Sequence, residues 1–144
     1  MKLVGFNFEK IYVERFLASL NDLKVETNID IKEITEVKQD FFKSKEELIG
    51  IKFAFNLDYQ PNIAKIEFIG SIVLSLDSKM AKEVLKKWKE KALPSEFRLN
   101  LFNLILKKST LRALRLEEEM NLPTHIPFPS FKKTEEKTEE KTET

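Results

Sequence analysis

His125 is the only histidine in this 144-residue chain, and there is no cysteine. Transition-metal sites and neutral-pH general bases are most often built on those two residue types. A zinc site anchored on His125 would have to draw its remaining ligands from carboxylates, which zinc rarely accepts as a full set. A nucleophile–base pair would need a positioned serine, and no surrounding motif marks one. His125 also lies between Pro123 and Pro127, in the stretch "NLPTHIPFPSF". That context assigns it a surface or packing role.

Carboxylate clusters occur at Glu46/Glu47 and at Glu117/Glu118/Glu119. The second cluster falls on the last turns of a long helical pattern, where negative charge is mildly unfavourable against the helix dipole. It reads as a solvated helix end, with an acidic docking patch as the alternative. Gly5, Gly50 and Gly70 are isolated, so no phosphate-cradling loop is present. Lys82, Lys86, Lys87 and Lys89 surround Trp88 and could touch RNA. They read instead as the wet side of an amphipathic helix whose Trp88 faces the core. The sequence thus predicts no enzyme, no catalytic residue, no metal site and no cofactor.

The elements that would carry these residues are legible from hydrophobic periodicity. Residues 47–59, "ELIGIKFAFNLDY", place Ile49, Ile51, Phe53, Phe55, Leu57 and Tyr59 on odd positions. A period of two over this length predicts a strand with one buried face. Pro61 and Asn62 predict a turn, after which Ile66, Phe68, Ile72, Leu74 and Leu76 repeat the alternation on even positions. In residues 23–37, Val25, Ile29 and Ile31 share a face before the phase slips to Ile34, which predicts a bulge near Lys32–Glu33. In residues 3–13, Val4, Phe6 and Phe8 are in phase, and Ile11 and Val13 follow after a bend at Glu9–Lys10.

Two helices then follow. Asp77 or Ser78 can cap the first, in which Ala81, Val84, Leu85 and Trp88 fall at i, i+3, i+4 and i+7. Pro94 or Ser95 opens the second, which runs to about residue 121 and is ~39 Å long. Its apolar residues cover most of its circumference, a pattern that predicts burial on two sides. A second subunit is therefore expected against Phe97, Leu101, Phe102, Ile105 and Leu106. The class is α+β: a four-stranded antiparallel sheet followed by a short and a long C-terminal helix. The expected organisation is one domain over 1–131, with the sheet in 2–76, helices at about 78–91 and 95–121, and a proline-rich strip at 122–131. The repeated "TEEK" of residues 132–144 predicts a disordered charged tail.

The chain has 25 Lys and Arg against 24 Asp and Glu, so its net charge is close to zero. That argues against a general nucleic-acid binder. No run of ~18 apolar residues predicts a membrane span, and the N-terminal apolar run is too short for a signal peptide. The expectation is a soluble cytoplasmic protein. Several apolar residues also fall outside the periodic positions: Phe16, Leu17 and Leu20 in the first connection, Phe41 and Phe42 in the second, and Ile126, Phe128 and Phe131 in the proline strip. Such surface marks interfaces or binding grooves, unless these loops fold back over the sheet ends.

The order of elements resembles the SecB-like export-chaperone superfamily. The local similarity is strongest over 66–81, "IEFIGSIVLSLDSKMA", where a strand glycine is followed by apolar/serine alternation and an acidic turn into a helix. Pro94 stands where the family has a proline before its long helix, and "LPTHIPFPSF" resembles the family's following loop. Two features depart from it: the family's second, lid-like helix is absent, and this chain is neutral where the bacterial export members are strongly acidic.

The resemblance implies a homo-oligomer, a dimer or tetramer, that holds unfolded polypeptides in apolar grooves without ATP. It places client contacts on Phe16, Leu17, Leu20, Ile126, Phe128 and Phe131, to which the periodicity adds Phe41 and Phe42. Two other classes remain open at this stage. One is a structural or adaptor subunit that binds a single folded partner through the apolar strip. The other is a small-ligand or thioester enzyme built on a sheet wrapped around a helix.

Overall fold

A computed structural model describes residues 1–16, 22–38 and 46–133. The elements are β1 (Lys2–Arg15), β2 (Lys24–Val37), β3 (Glu46–Gln60), β4 (Ala64–Asp77), α1 (Ser78–Lys89) and α2 (Ser95–Glu119). All strand pairs are antiparallel and the order across the sheet is β1-β4-β3-β2. Strands β2, β3 and β4 form a meander, and β1 lies beside β4. The expected four strands followed by a short and a long helix are the observed architecture.

Side-chain alternation builds the core. Every odd apolar position expected on β3 and every even one on β4 is buried. Phe55 pairs with Phe68 and Ile51 with Ile72, so a slip of one residue would turn the whole set outward. The Phe55 and Phe68 rings stack 5.7 Å apart. Burying each such side chain contributes about 1.5–3 kcal/mol.

Register shifts keep the outer strands in phase with this face. The shift between Ile31 and Glu33 brings Ile34 opposite Ile51 and buries it. A shift between Phe8 and Lys10 places Ile11 and Val13 opposite Phe68 and Ile66. A further shift in β1 was not legible. Val4, expected in phase with Phe6 and Phe8, is skipped between Leu3 and Gly5, and Leu3 takes the position opposite Leu74.

Asp77 caps α1 by accepting a 2.7 Å hydrogen bond from the Met80 amide. Ala81 and Val84 are buried, while Leu85 and Trp88 pack half-buried against the core. Both helices close with the same device. The Ala92 amide donates to the Lys87 carbonyl at 2.9 Å, and the Leu122 amide to the Glu117 carbonyl at 2.8 Å. The residue between, Lys91 (φ 58°) or Asn121 (φ 54°), is left-handed. The helices therefore stop just short of the expected ends at 91 and 121, because those two residues turn the chain out of each helix.

The buried side of α2 follows an i, i+4 row: Phe97, Leu101, Ile105, Ser109, Ala113 and Glu117. Such a row winds around the helix, so the contact line runs obliquely to the axis. Near its start, Arg98 and Phe102 face Ile29 and Ile31 of β2 across a groove. At its end, the Arg15 guanidinium of β1 donates to the carbonyls of Met120 (3.1 Å) and Asn121 (3.0 Å). Phe97, Leu101 and Ile105 were expected at a subunit contact. Those three side chains are core residues covered by the chain's own sheet, whereas Leu106 is exposed and Phe102 half-buried.

Gly70 marks the tightest approach in the sheet. A Cβ there would lie 2.6 Å from the Phe53 ring and 2.7 Å from the Asn7 carbonyl oxygen, whereas one at Gly5 would meet nothing within 4 Å. Gly70→Ala is expected to destabilise the fold by about 1–3 kcal/mol through overpacking. Gly5→Ala should stay within about 0.5 kcal/mol of the parent. Urea denaturation followed by circular dichroism measures both.

Candidate functional site

The proline strip leaves α2 through a buried polar cluster. Because Glu117 continues the inward row of α2, its carboxylate is fully buried. A buried carboxylate requires donors, and three groups supply them at one oxygen. The Tyr59 hydroxyl donates to Glu117 Oε2, the His125 amide does so at 3.1 Å, and His125 Nδ1 lies 2.9 Å away. With two other donors already directed at Oε2, the Nδ1 contact also places a hydrogen between ring and carboxylate. The Tyr59 hydroxyl lies 3.0 Å from the Pro123 carbonyl as well, which ties β3 to the first proline of the strip.

The cluster is sealed from solvent. The His125 side chain is only 2% exposed, and its ring meets Phe55 edge-on with centroids 6.5 Å apart. Burial, reinforced by the hydrogen bond to Glu117, pushes the Tyr59 phenol well above its ordinary range. Glu117 Oε1 and His125 Nε2 are buried without a partner. The imidazole is closed off from solvent, and among the described residues no serine completes a nucleophilic pair with it. The constellation holds the strip on the sheet.

Two expectations change as a result. Glu117 is not part of a solvated helix end; only Glu118 and Glu119 are exposed. His125 does have the packing role expected of it, but as one member of a buried hydrogen-bonded cluster. Glu117 was the residue that sequence reasoning missed. The signal was its place four residues after Ala113, on the row that begins at Phe97.

Beyond His125 the strip turns outward. Ile126 is 38% exposed, Phe128 58%, and Phe131 fully so. Phe16, 41% exposed, lies at the same end of the sheet: its amide donates to the Ile63 carbonyl, and the preceding Arg15 holds the end of α2. Four residues of the expected client surface are thus described, and all are open. Leu17, Leu20, Phe41 and Phe42 lie outside the described residues, as does the tail from residue 134. Trp88, expected in the core, is half-buried with Lys91 Nζ over its ring at 5.9 Å. Among the described residues, no group of three or more His, Asp and Glu is placed to hold a metal ion. Nor is any helix among them long and apolar enough to cross a membrane.

No family model matches the chain, and no curated protein matches it in sequence. Among solved structures it is similar to a Mycobacterium tuberculosis SecB-like chaperone, Rv1957, in complex with a ChAD peptide from the Rv1956 HigA1 antitoxin. That similarity covers 91% of each chain at 12% identity, with a TM-score of 0.47.

The cluster has a measurable pH signature. Tyr59 keeps its proton to higher pH in the folded chain than in the unfolded one. Its stabilisation is therefore intact below about pH 10 and lost progressively above it. Tyr59→Phe should lower stability by about 1–3 kcal/mol at neutral pH, because Glu117 loses a donor. It should also lose less stability than the parent between about pH 8 and pH 11. Urea midpoints across that range provide the test.

Proposed function

We infer that this chain holds non-native polypeptide segments, without nucleotide, on the apolar side chains of residues 126–131 together with Phe16. One observation carries the reading: the strip is bolted down at His125 by a buried polar cluster while its Ile126, Phe128 and Phe131 side chains stand open. Pro127 and Pro129 restrict the backbone between them to extended conformations, so little ordering entropy is lost when a client docks. Adjacent exposed apolar side chains on an extended segment suit an unfolded chain, whose own apolar residues are spaced irregularly. The resemblance of 66–81 and of the proline strip to the SecB-like superfamily supports the same reading.

Self-association belongs to this proposal. Leu99, Phe102, Asn103, Leu106 and Thr110 form an uncharged stripe at i, i+3, i+4, i+7 and i+11 on α2. Leu99 and Leu106 are exposed on the chain alone. A second copy packed along this stripe would remove both from water. Leu99→Lys combined with Leu106→Lys is expected to shift the sedimentation-equilibrium mass toward that of one chain, leaving the circular dichroism unchanged. An unchanged mass would rule out this stripe as the contact.

Holding is tested by light scattering from a reduced, aggregating client at equimolar chain. The parent should suppress aggregation, and Phe16→Ser/Phe128→Ser/Phe131→Ser should suppress it far less at equal folded content. Equal protection by the two proteins would remove the strip from the account. Capture of one folded protein, with no binding to denatured chains, would establish an adaptor instead.

A further inference from the structure

The near-zero net charge conceals a concentrated basic segment. Residues 78–115, which span α1 and most of α2, contain eleven Lys and Arg against three Glu, a net charge of +8. The rest of the chain carries −7. Four of the six strand lysines are matched locally: Lys10 with Glu67, Lys24 with Glu26, Lys32 with Asp30 and Lys52 with Glu9. Among the described residues, none of the eleven helix-layer cations lies in an ion pair.

Part of this excess has a local explanation. Lys86, Lys87 and Lys89 occupy the last turn of α1, where positive charge favours the helix dipole. Lys91 and Arg98 have no such reason. Lys91 takes a left-handed conformation (φ 58°) that favours glycine. Arg98 sits in the first turn of α2, where the dipole disfavours a cation. Two locally unfavourable choices at one place in a fold point to a function.

That place is a groove of about 480 Å³ between β2 and the α1–α2 corner. Ile29, Ile31, Trp88, Leu93 and Phe102 supply its apolar lining, and Lys91 and Arg98 stand beside them. Lys91 Nζ lies 5.9 Å from the Trp88 ring centroid, and Arg98 Cζ lies 5.2 Å from that of Phe102. Asp30, the groove's acidic residue, is already engaged by Lys32 at 2.9 Å.

We propose that this groove docks an extended polypeptide segment alternating acidic and apolar residues, with its carboxylates on Lys91 and Arg98 and an apolar side chain against the lining. Two features favour a polypeptide over another anionic partner. First, β2 is an edge strand of the sheet, so the groove wall offers backbone groups that an extended peptide can pair with. Second, cations lie over both aromatic rings of the groove, which leaves those faces poorly placed to stack nucleic-acid bases. This surface is separate from the proline strip, and its selectivity does not depend on client holding there.

Fluorescence anisotropy with a labelled dodecapeptide alternating Glu and Leu tests the proposal against counterparts alternating Lys and Leu or Gln and Leu. The acidic peptide should bind about tenfold or more tighter than either, and more weakly as salt rises from about 50 to about 300 mM. Lys91→Glu/Arg98→Glu should abolish that preference, and Lys91→Gln/Arg98→Gln should weaken it. Lys2→Glu/Lys132→Glu, with the same change in net charge, should retain it. Because both groove residues are exposed, unchanged circular dichroism is expected to accompany each variant. Equal binding of the three peptides would overturn the proposal while leaving client holding by the strip intact. Tighter binding of poly(U) or of phosphatidylglycerol vesicles than of the acidic peptide would also overturn it.

Discussion

A carboxylate taken out of water must be met by donors, and in this protein that requirement joins three separate parts of the chain. Glu117 arrives at the sheet because α2 keeps a four-residue inward row from Phe97 onward. Once there it needs partners, and the fold supplies Tyr59 from β3 and His125 from the strip. The left-handed Asn121 and the buried Leu122 turn the chain sharply enough for His125 to come back under Phe55. Removing one member of such a cluster leaves the others buried and underbonded, which is costlier than losing a single surface hydrogen bond. The direction in which the strip leaves the molecule, and hence which of its side chains face water, follows from this one constraint.

The sheet makes the cluster possible by being unusually well specified. Its two central strands, β3 and β4, carry continuous apolar alternation, so their register has one low-energy solution. The outer strands are less regular and need bulges to stay in phase with that face. Those bulges place Ile34 and Val13 on the core side without altering the register of the centre. The helices then divide the work. The i, i+4 row of α2 buries Phe97 to Ala113, while its opposite side remains open at Leu99 and Leu106. Charge is divided too: four strand lysines are paired with carboxylates, whereas among the described residues the cations of 78–115 are not.

Much of this was readable in the residues. Strict alternation in 47–59 and 64–76 identified the central hairpin, and the phase slips at Lys32–Glu33 and Glu9–Lys10 located two bulges. Val4 was misplaced because a single skipped residue near a strand end leaves too few neighbours to reveal the slip. The burial of Phe97, Leu101 and Ile105 within the single chain was not legible for a related reason. Apolar residues around most of a helix show that it is covered, but not whether its own sheet or another copy covers each side. Glu117 and His125 were hidden differently. Residue type suggested an exposed acidic end and an isolated ring, and only the position of Glu117 on the inward row carried the contrary signal. Net charge was silent on the basic segment, because a sum near zero averages +8 over residues 78–115 with −7 elsewhere.

The central claim is that the strip is fixed at His125 and available beyond it, and site-specific photocrosslinking tests it most directly. A photoreactive phenylalanine analogue is placed at position 128 or 131, with position 122 as the buried control. Each variant is irradiated with a client protein in its reduced, unfolded form and again in its native form. Crosslinks from 128 and 131 to the unfolded client alone, with none from 122, are the expected result. Equal crosslinking to the native client, or none from 128 and 131, would contradict it.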